Sequence, residues 1–352
     1  HDEDVADAPS PDEALAGLVE FARDAKMIAH NAEFDRTFTT RHPSGYPLLD
    51  NIWIDSLDLA RIALPRMRSH RLIDLVKAFG APTSTHRADD DVAATCALFR
   101  ILLAAVYEMP PALVKCIALL APVEQWNTAV VFQHFAQPEA KPFSLKELRY
   151  ESMTSYERRP RIDAKMIQTM EYPTAEDIAQ AFSPTGIVGK LYVDFDPREE
   201  QLTMAQEVRA ALEASENLIV EAGTGVGKSM AYLVPAVLMA KKNNIAIGVA
   251  TKTNALLDQL VYHELPALAQ SLGDVTYAPL KGFSHYPCLR KVNRFVKEGV
   301  KMVDVQGTEH SQAPSLGALL SFIDQTDYDD MDSLKMDYRV VPRRAVTTTS
   351  HD

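Results

Sequence analysis

The chain is poor in cysteine, glycine and tryptophan, and it carries no long hydrophobic run. Its three cysteines, Cys96, Cys116 and Cys288, lie far apart and are odd in number. This excludes a disulfide framework and leaves reduced thiols or an isolated ligand. With 14 glycines in 352 residues, collagen-like and glycine-rich disordered architectures are excluded too. No stretch reaches the roughly 18 uncharged apolar residues that a membrane-spanning helix needs. The opening HDEDVADAPSPDE is acidic, where a secretion signal is basic and then apolar. A cytoplasmic protein without a membrane partner is therefore expected. Positive charge is also short: the formal net charge is −12, which speaks against a surface coated for phosphate contact. Two local stretches run against that average, Lys141 to Lys165 and the group Arg290, Lys291, Arg294, Lys297 and Lys301 around Glu298. Either can follow a nucleic-acid backbone or be a solvated helix face.

What the chain does have is apolar content, 47% of its residues, and more length than one core usually spans. Two α/β domains and a connector are expected. Residues 1–107 alternate helix and strand patterns: ALAGLVEFA by helical spacing, AKMIAH as a short buried strand, then helices in FDRTFTTRH, SLDLARIAL, HRLIDLVKAFG closed by Gly80, and HRADDDVAATCALFRILLAAVY. Residues 108–186 read as helical pieces separated by QPEAKPF and ERRPRID. Residues 187–352 open with strand-like GKLYVDF, a helix TMAQEVRAALEA, a strand NLIVEA, a glycine loop, a helix SMAYLVPAVLMAKK and a strand IAIGVAT. That order is a βαβ pattern.

The glycine loop is the sharpest chemical signal. AGTGVGKS covers Ala222, Gly223, Thr224, Gly225, Val226, Gly227, Lys228 and Ser229, directly after NLIVEA and at the start of a helix. Glycines let successive N–H groups turn toward an anion, the helix N-terminus favours negative charge, and a lysine and a hydroxyl follow for phosphate and Mg²⁺. The run is a P-loop, with Lys228 expected on the β- and γ-phosphates of ATP and Ser229 on the metal.

Together, EAGTGVGKS, the upstream Arg198-x-x-Gln201 and the downstream TKTNALLDQL resemble the nucleotide and Ia motifs of superfamily 2 helicases, in the DinG branch related to XPD. The resemblance implies that Arg198 and Gln201 read the adenine edge and that Thr251 and Thr253 face a DNA backbone. Phe195 is either a stacking residue for the base or ordinary core. LKGFSHYPCLRKV is similar to the stretch that supplies the first cysteine of a four-cysteine 4Fe-4S cluster in those relatives, so Cys288 is a candidate cluster ligand or a packed thiol.

A second constellation, AHNAEFDRTF with HRADDDVAAT, resembles the second and third motifs of DnaQ-type, DEDDh 3′–5′ exonucleases, which have an RNase H-like fold. Such chemistry needs carboxylates for divalent metal and a general base for the attacking water. The resemblance implies that Asp35 and Asp91 are ligands for Mg²⁺ or Mn²⁺ and that His86 is the base. Asn31 is expected to hold the turn and Phe34 to pack beneath it. The family's Asp-x-Glu strand is not found in residues 1–29, nor are a Walker B pair or a second RecA-like domain found after the P-loop. The chain is thus expected to be an interior piece, inactive alone as a nuclease and helicase. The expected organisation is an exonuclease domain at 1–107, a connector at 108–186 and the first part of a helicase domain at 187–352. The parent is expected to be an ATP-dependent DNA helicase with an attached exonuclease, acting in repair or replication on DNA that is single-stranded or has single-stranded ends. The alternative is a nucleic-acid-binding ATPase with a degenerate, nuclease-like docking domain.

Overall fold

Ser10 starts the first helix by a reciprocal cap. Its hydroxyl accepts from the Glu13 N–H, and the Glu13 carboxylate accepts from the Ser10 N–H at 2.9 Å. The computed structural model describes residues 8–82, 88–148, 169–193, 195–273, 275–325 and 330–349. They divide into two units, 1–156 with 282–352, and 157–281.

In the first unit α1 (Pro11–Ala22) leads to β1 (Met27–Ala29), α2 (Ala32–Thr39), β2 (Trp53–Asp55) and α3 (Ser56–Ala63). The two strands run parallel, with Met27 opposite Trp53 and Ala29 opposite Asp55. The remaining N–H groups of β2 are met by side chains: Trp53 donates to Asn127 Oδ1 at 3.1 Å and Asp55 to Thr128 Oγ1 at 2.9 Å. α4 (Leu72–Ala78) ends just before Gly80, whose φ of +64° is the left-handed conformation a helix stop uses. α5 (Ala88–Tyr107) buries Ala94, Leu98, Leu102 and Val106 at four-residue steps, a single stripe facing α3 and α4.

The packing of this unit differs from the three expected segments. α6 (Pro111–Ala118) and α7 (Ala129–Phe135), both expected in a connector, bury Leu113, Ile117 and Phe132 in the core formed by α3 and α5. The helix Ala313–Gln325 joins the same core and lies so close to α3 that a Cβ on Gly317 would sit 3.1 Å from Ile62 Cδ1. The reason is the apolar face that each of these helices carries: it is covered only by packing on a neighbour, whatever the distance along the chain. A hairpin, Met302–Val305 with Thr308–Ser311, turns at Gln306 and Gly307, both at positive φ.

The second unit contains α8 (Ala175–Ala181), α9 (Glu199–Ala214), α10 (Lys228–Asn243), α11 (Asn254–Gln259) and α12 (Leu265–Leu272). Its core is Ile178, Phe182, Val188, Ala205, Leu233, Val234, Leu260 and Leu268. The expected βαβ pattern is not formed. Among the described residues of 157–281 there is no strand: NLIVEA and IAIGVAT form no ladder, and GKLYVDF begins as a 3₁₀ turn at Gly189–Leu191. A strand of a parallel sheet is stabilised by neighbours on both edges and cover on both faces. Here no ladder pairs either segment, and Ile219 in the first is 97% exposed, so its face is not covered. No single helix in the described residues is long and apolar enough to cross a membrane.

Candidate nuclease and nucleotide sites

The segment His30–Asp35 crosses from β1 into α2. Asn31 takes φ 75°, a left-handed conformation that Asn tolerates, and so turns the chain abruptly into the helix. Its N–H donates to Asp55 Oδ1 at 3.0 Å, and the same oxygen accepts from the Leu57 N–H at 2.8 Å as the cap of α3. His30 is tied on both ring nitrogens, Nε2 to the His70 carbonyl at 2.8 Å and Nδ1 to Ser56 Oγ at 3.0 Å. A carbonyl only accepts, so Nε2 carries the proton and Nδ1 accepts from the hydroxyl. Burial keeps the His30 pKa below its ordinary value, which suits this neutral form.

Asp35 lies in the first turn of α2. Burial raises its carboxyl pKa, its own backbone N–H opposes that, and the neighbouring Asp55 charge raises it further. Asp58, with its side chain 19% exposed, is pushed up to about 7 by burial and then by Asp55, against the pull of Arg61 at 3.9 Å. Three carboxylates thus share one electrostatic neighbourhood at the ends of the two strands. Asp91 sits in the first turn of α5, which packs on α3 and α4. His86 lies outside the described residues.

Phe34 departs from expectation. It does not pack beneath the turn but is 65% exposed and stacks on Phe38, one helical turn on, with ring centroids 6.5 Å apart. Ala32 takes the buried side of the first turn instead. The residues missed from sequence are Asp55, His30, Ser56 and His70. An Asp before Ser-Leu is a legible helix cap, but its second bond reaches across 24 residues.

Asp35 and Asp91 are oxygen donors of the kind a hard divalent cation takes. Among the described residues, however, no three His, Cys, Asp or Glu side chains gather into a group that could hold a metal ion. Asp35 and Asp91 are too few by themselves to hold one.

In the second unit Gly225 and Gly227 take φ +87° and +84°, and the helix begins at Lys228. The Lys228 ammonium donates to the carbonyls of Ala222 at 3.0 Å and Gly223 at 2.6 Å. Arg198 donates to the Gly225 carbonyl, and Gln201 Nε2 to the Gly227 carbonyl at 2.9 Å. Arg198 and Gln201 therefore meet the loop itself. Burial raises the Tyr232 pKa, and the nearby Ser229 side chain opposes that rise. Gly223, Thr224 and Val226 complete the turn, with Gly223 and Thr224 exposed. Thr253 uses its hydroxyl to cap α11, accepting from the Leu256 N–H at 3.3 Å, and Thr251 donates to the Thr253 carbonyl at 3.2 Å. Phe195 is partly buried against the core and stacks on Tyr192 at 6.3 Å.

Cys288 stands at the start of helix Leu289–Glu298, and its N–H donates to the Val346 carbonyl at 2.7 Å. Cys116 is pushed up to about 11 by burial, an inert thiol, and Cys96 is exposed. The three cysteines do not form a cluster among the described residues, so a four-cysteine iron–sulfur group is not accommodated by them.

Residues 1–99 match the exonuclease family of the RNase T type. With the mixed helices and parallel strands described above, they define an exonuclease-type α/β domain. Over most of its length the chain is also similar to two curated relatives named "3′-5′ exonuclease DinG". For the protein of Bacillus subtilis (strain 168), identity is 28% over 303 residues, covering 82% of this chain and 31% of the relative. For that of Staphylococcus aureus (strain USA300) it is 25% over 304 residues, covering 85% and 33%. The chain spans about a third of the length of these relatives. No solved structure matches it.

Proposed function

We propose that this chain belongs to a DNA-processing hydrolase in which a DnaQ-type 3′–5′ exonuclease domain is joined to an ATP-dependent DinG-type helicase. The observation that carries this reading is the extent of the similarity to relatives named 3′-5′ exonuclease DinG, which covers 82% of the chain rather than the exonuclease segment alone. Asp35 and Asp91 supply carboxylates to the nuclease and His86 takes the proton of the attacking water. The loop Gly223–Ser229 cradles the phosphates of ATP through backbone N–H groups, and Lys228 exchanges the Ala222 and Gly223 carbonyls for phosphate oxygens. Arg198 and Gln201 hold the loop from α9, while Thr251 and Thr253 lie toward the DNA backbone. The substrate is DNA with a single-stranded 3′ end, and the compartment is cytoplasmic. Cys288 is the one candidate cluster ligand among the three thiols.

The test uses the full-length protein with 3′-labelled single-stranded DNA and Mg²⁺ or Mn²⁺. Asp35→Asn and Asp91→Asn should abolish release of 3′ nucleotides, and His86→Ala should slow it by about 10²–10⁴-fold with DNA binding retained. Nuclease activity that survives both carboxylate changes rejects the assignment. The lack of three gathered donors among the described residues favours a second reading, an ATPase with a nuclease-like docking domain. Under it the full-length protein hydrolyses ATP on DNA but releases no nucleotides.

A further inference from the structure

Two neighbouring residues at the start of α3 hold two neighbouring residues at the entrance to α2. Asp55 Oδ1 accepts from the Asn31 N–H at 3.0 Å, and the Ser56 hydroxyl meets His30 Nδ1 at 3.0 Å. Asp55 is itself fixed: its Oδ1 also accepts from Leu57, and its backbone N–H donates to Thr128, a buried residue. His30 is anchored a second time, on the His70 carbonyl at 2.8 Å. Asn31 sits at φ 75°, a left-handed conformation that Asn tolerates better than other non-glycine residues and that its surroundings hold in place. α2 starts at the next residue, and Asp35 follows within its first turn. The direction in which α2 presents Asp35 is thus set by a turn whose left-handed residue has its N–H held by one carboxylate oxygen.

We propose that Asp55 is a positioning residue for Asp35, acting as a hydrogen-bond acceptor that locks the left-handed turn at Asn31. The proposal rests on the exonuclease reading for its functional consequence but not for the brace itself. The turn needs an acceptor at this place, because both bonds to Oδ1 come from backbone N–H groups; the carboxylate charge strengthens those bonds and also acts on Asp35 through space. A side-chain amide carbonyl in the same position can accept both.

The experiment pairs two readouts across Asp55→Ala, Asp55→Asn and Asp55→Glu. Hydrogen exchange by mass spectrometry, on this chain, follows the peptide that contains the Asn31 turn. Single-stranded 3′-exonuclease kinetics are measured on the full-length protein. Asp55→Ala should raise exchange at the turn about tenfold and lower kcat by about 30-fold, with KM for DNA changed less than about threefold. Asp55→Asn should restore both to within about fivefold of the unaltered protein, whereas Asp55→Glu, which keeps the charge but displaces the oxygen by a methylene, should not. If Asp55→Ala does not fold, the order of Asn over Glu decides alone. Unchanged exchange in Asp55→Ala, or better activity in Glu than in Asn, overturns the proposal. If the unaltered full-length protein releases no 3′ nucleotides, the exonuclease reading fails, and exchange still decides whether the brace exists.

Discussion

The Gln201 side-chain amide donates a 2.9 Å hydrogen bond to the Gly227 carbonyl, and it lies where a Cβ on Gly227 would fall, 2.0 Å from Gln201 Nε2. Gly227 is therefore required twice, for its φ of +84° and for the approach of α9 to the loop. Gly227→Ala should lower the affinity for a fluorescent ATP analogue by about tenfold, roughly the effect of 1–2 kcal/mol of left-handed strain. In a Gln201→Ala background the same change should cost less, because the obstructing amide is gone. Additive losses in this cycle would show that the close approach is not what excludes alanine.

Among the described residues the Lys228 side chain bonds only to the loop carbonyls of Ala222 and Gly223. Lys228→Ala should therefore leave the fold intact while removing a charge-assisted phosphate contact of roughly 1.5–3 kcal/mol. Titration with the same analogue should give at least about a tenfold weaker Kd with an unchanged melting temperature. Equal binding by both proteins rejects the phosphate role.

Asp58 makes the stability of the first unit depend on pH. Its ordinary value of 3.8 applies in the unfolded chain, and the folded value is about 7. As pH rises from about 4 to 7 the unfolded chain gives up its proton while the folded chain keeps it, so stability is lost across that window. His30 acts in the opposite direction, since its folded pKa is lowered below 6.5 and its contribution is lost as pH falls. Asp58→Asn should match the parent near pH 3.5 and be more stable at pH 8 by about 1–3 kcal/mol in urea unfolding followed by circular dichroism. A variant less stable at pH 8 would mean that the ionised Asp58 is a net favourable partner of Arg61.

Asp332 joins two distant segments: it meets His285 Nδ1 at 2.9 Å and accepts from Arg343, whose Nε donates to the Ser284 carbonyl at 3.1 Å. These partly buried groups hold residues 283–288, including Cys288, against residues 343–348. Asp332→Ala should destabilise the unit by about 1–2 kcal/mol and increase alkylation of Cys288 by iodoacetamide. Unaltered alkylation would show that this network does not control the segment.

Some features were determined by the sequence alone, because their causes are local. The Ser10 cap, the Gly80 stop, the striped helix from Ala88 and the glycine pattern from Gly223 each express a backbone requirement within a few residues, and each is legible without tertiary structure. Strands are different: the apolar content of NLIVEA and IAIGVAT marks them as strand-forming, but a ladder needs a partner, and the described residues provide none. Only the tertiary structure decided that α6, α7 and the helix Ala313–Gln325 share one core with α3 and α5, since an apolar face does not specify which neighbour will cover it. The same holds at the candidate nuclease site. Asp35 is marked by its motif, but Asp55, which holds the turn before it, becomes visible only when two parallel strands bring Ala29 and Asp55 side by side.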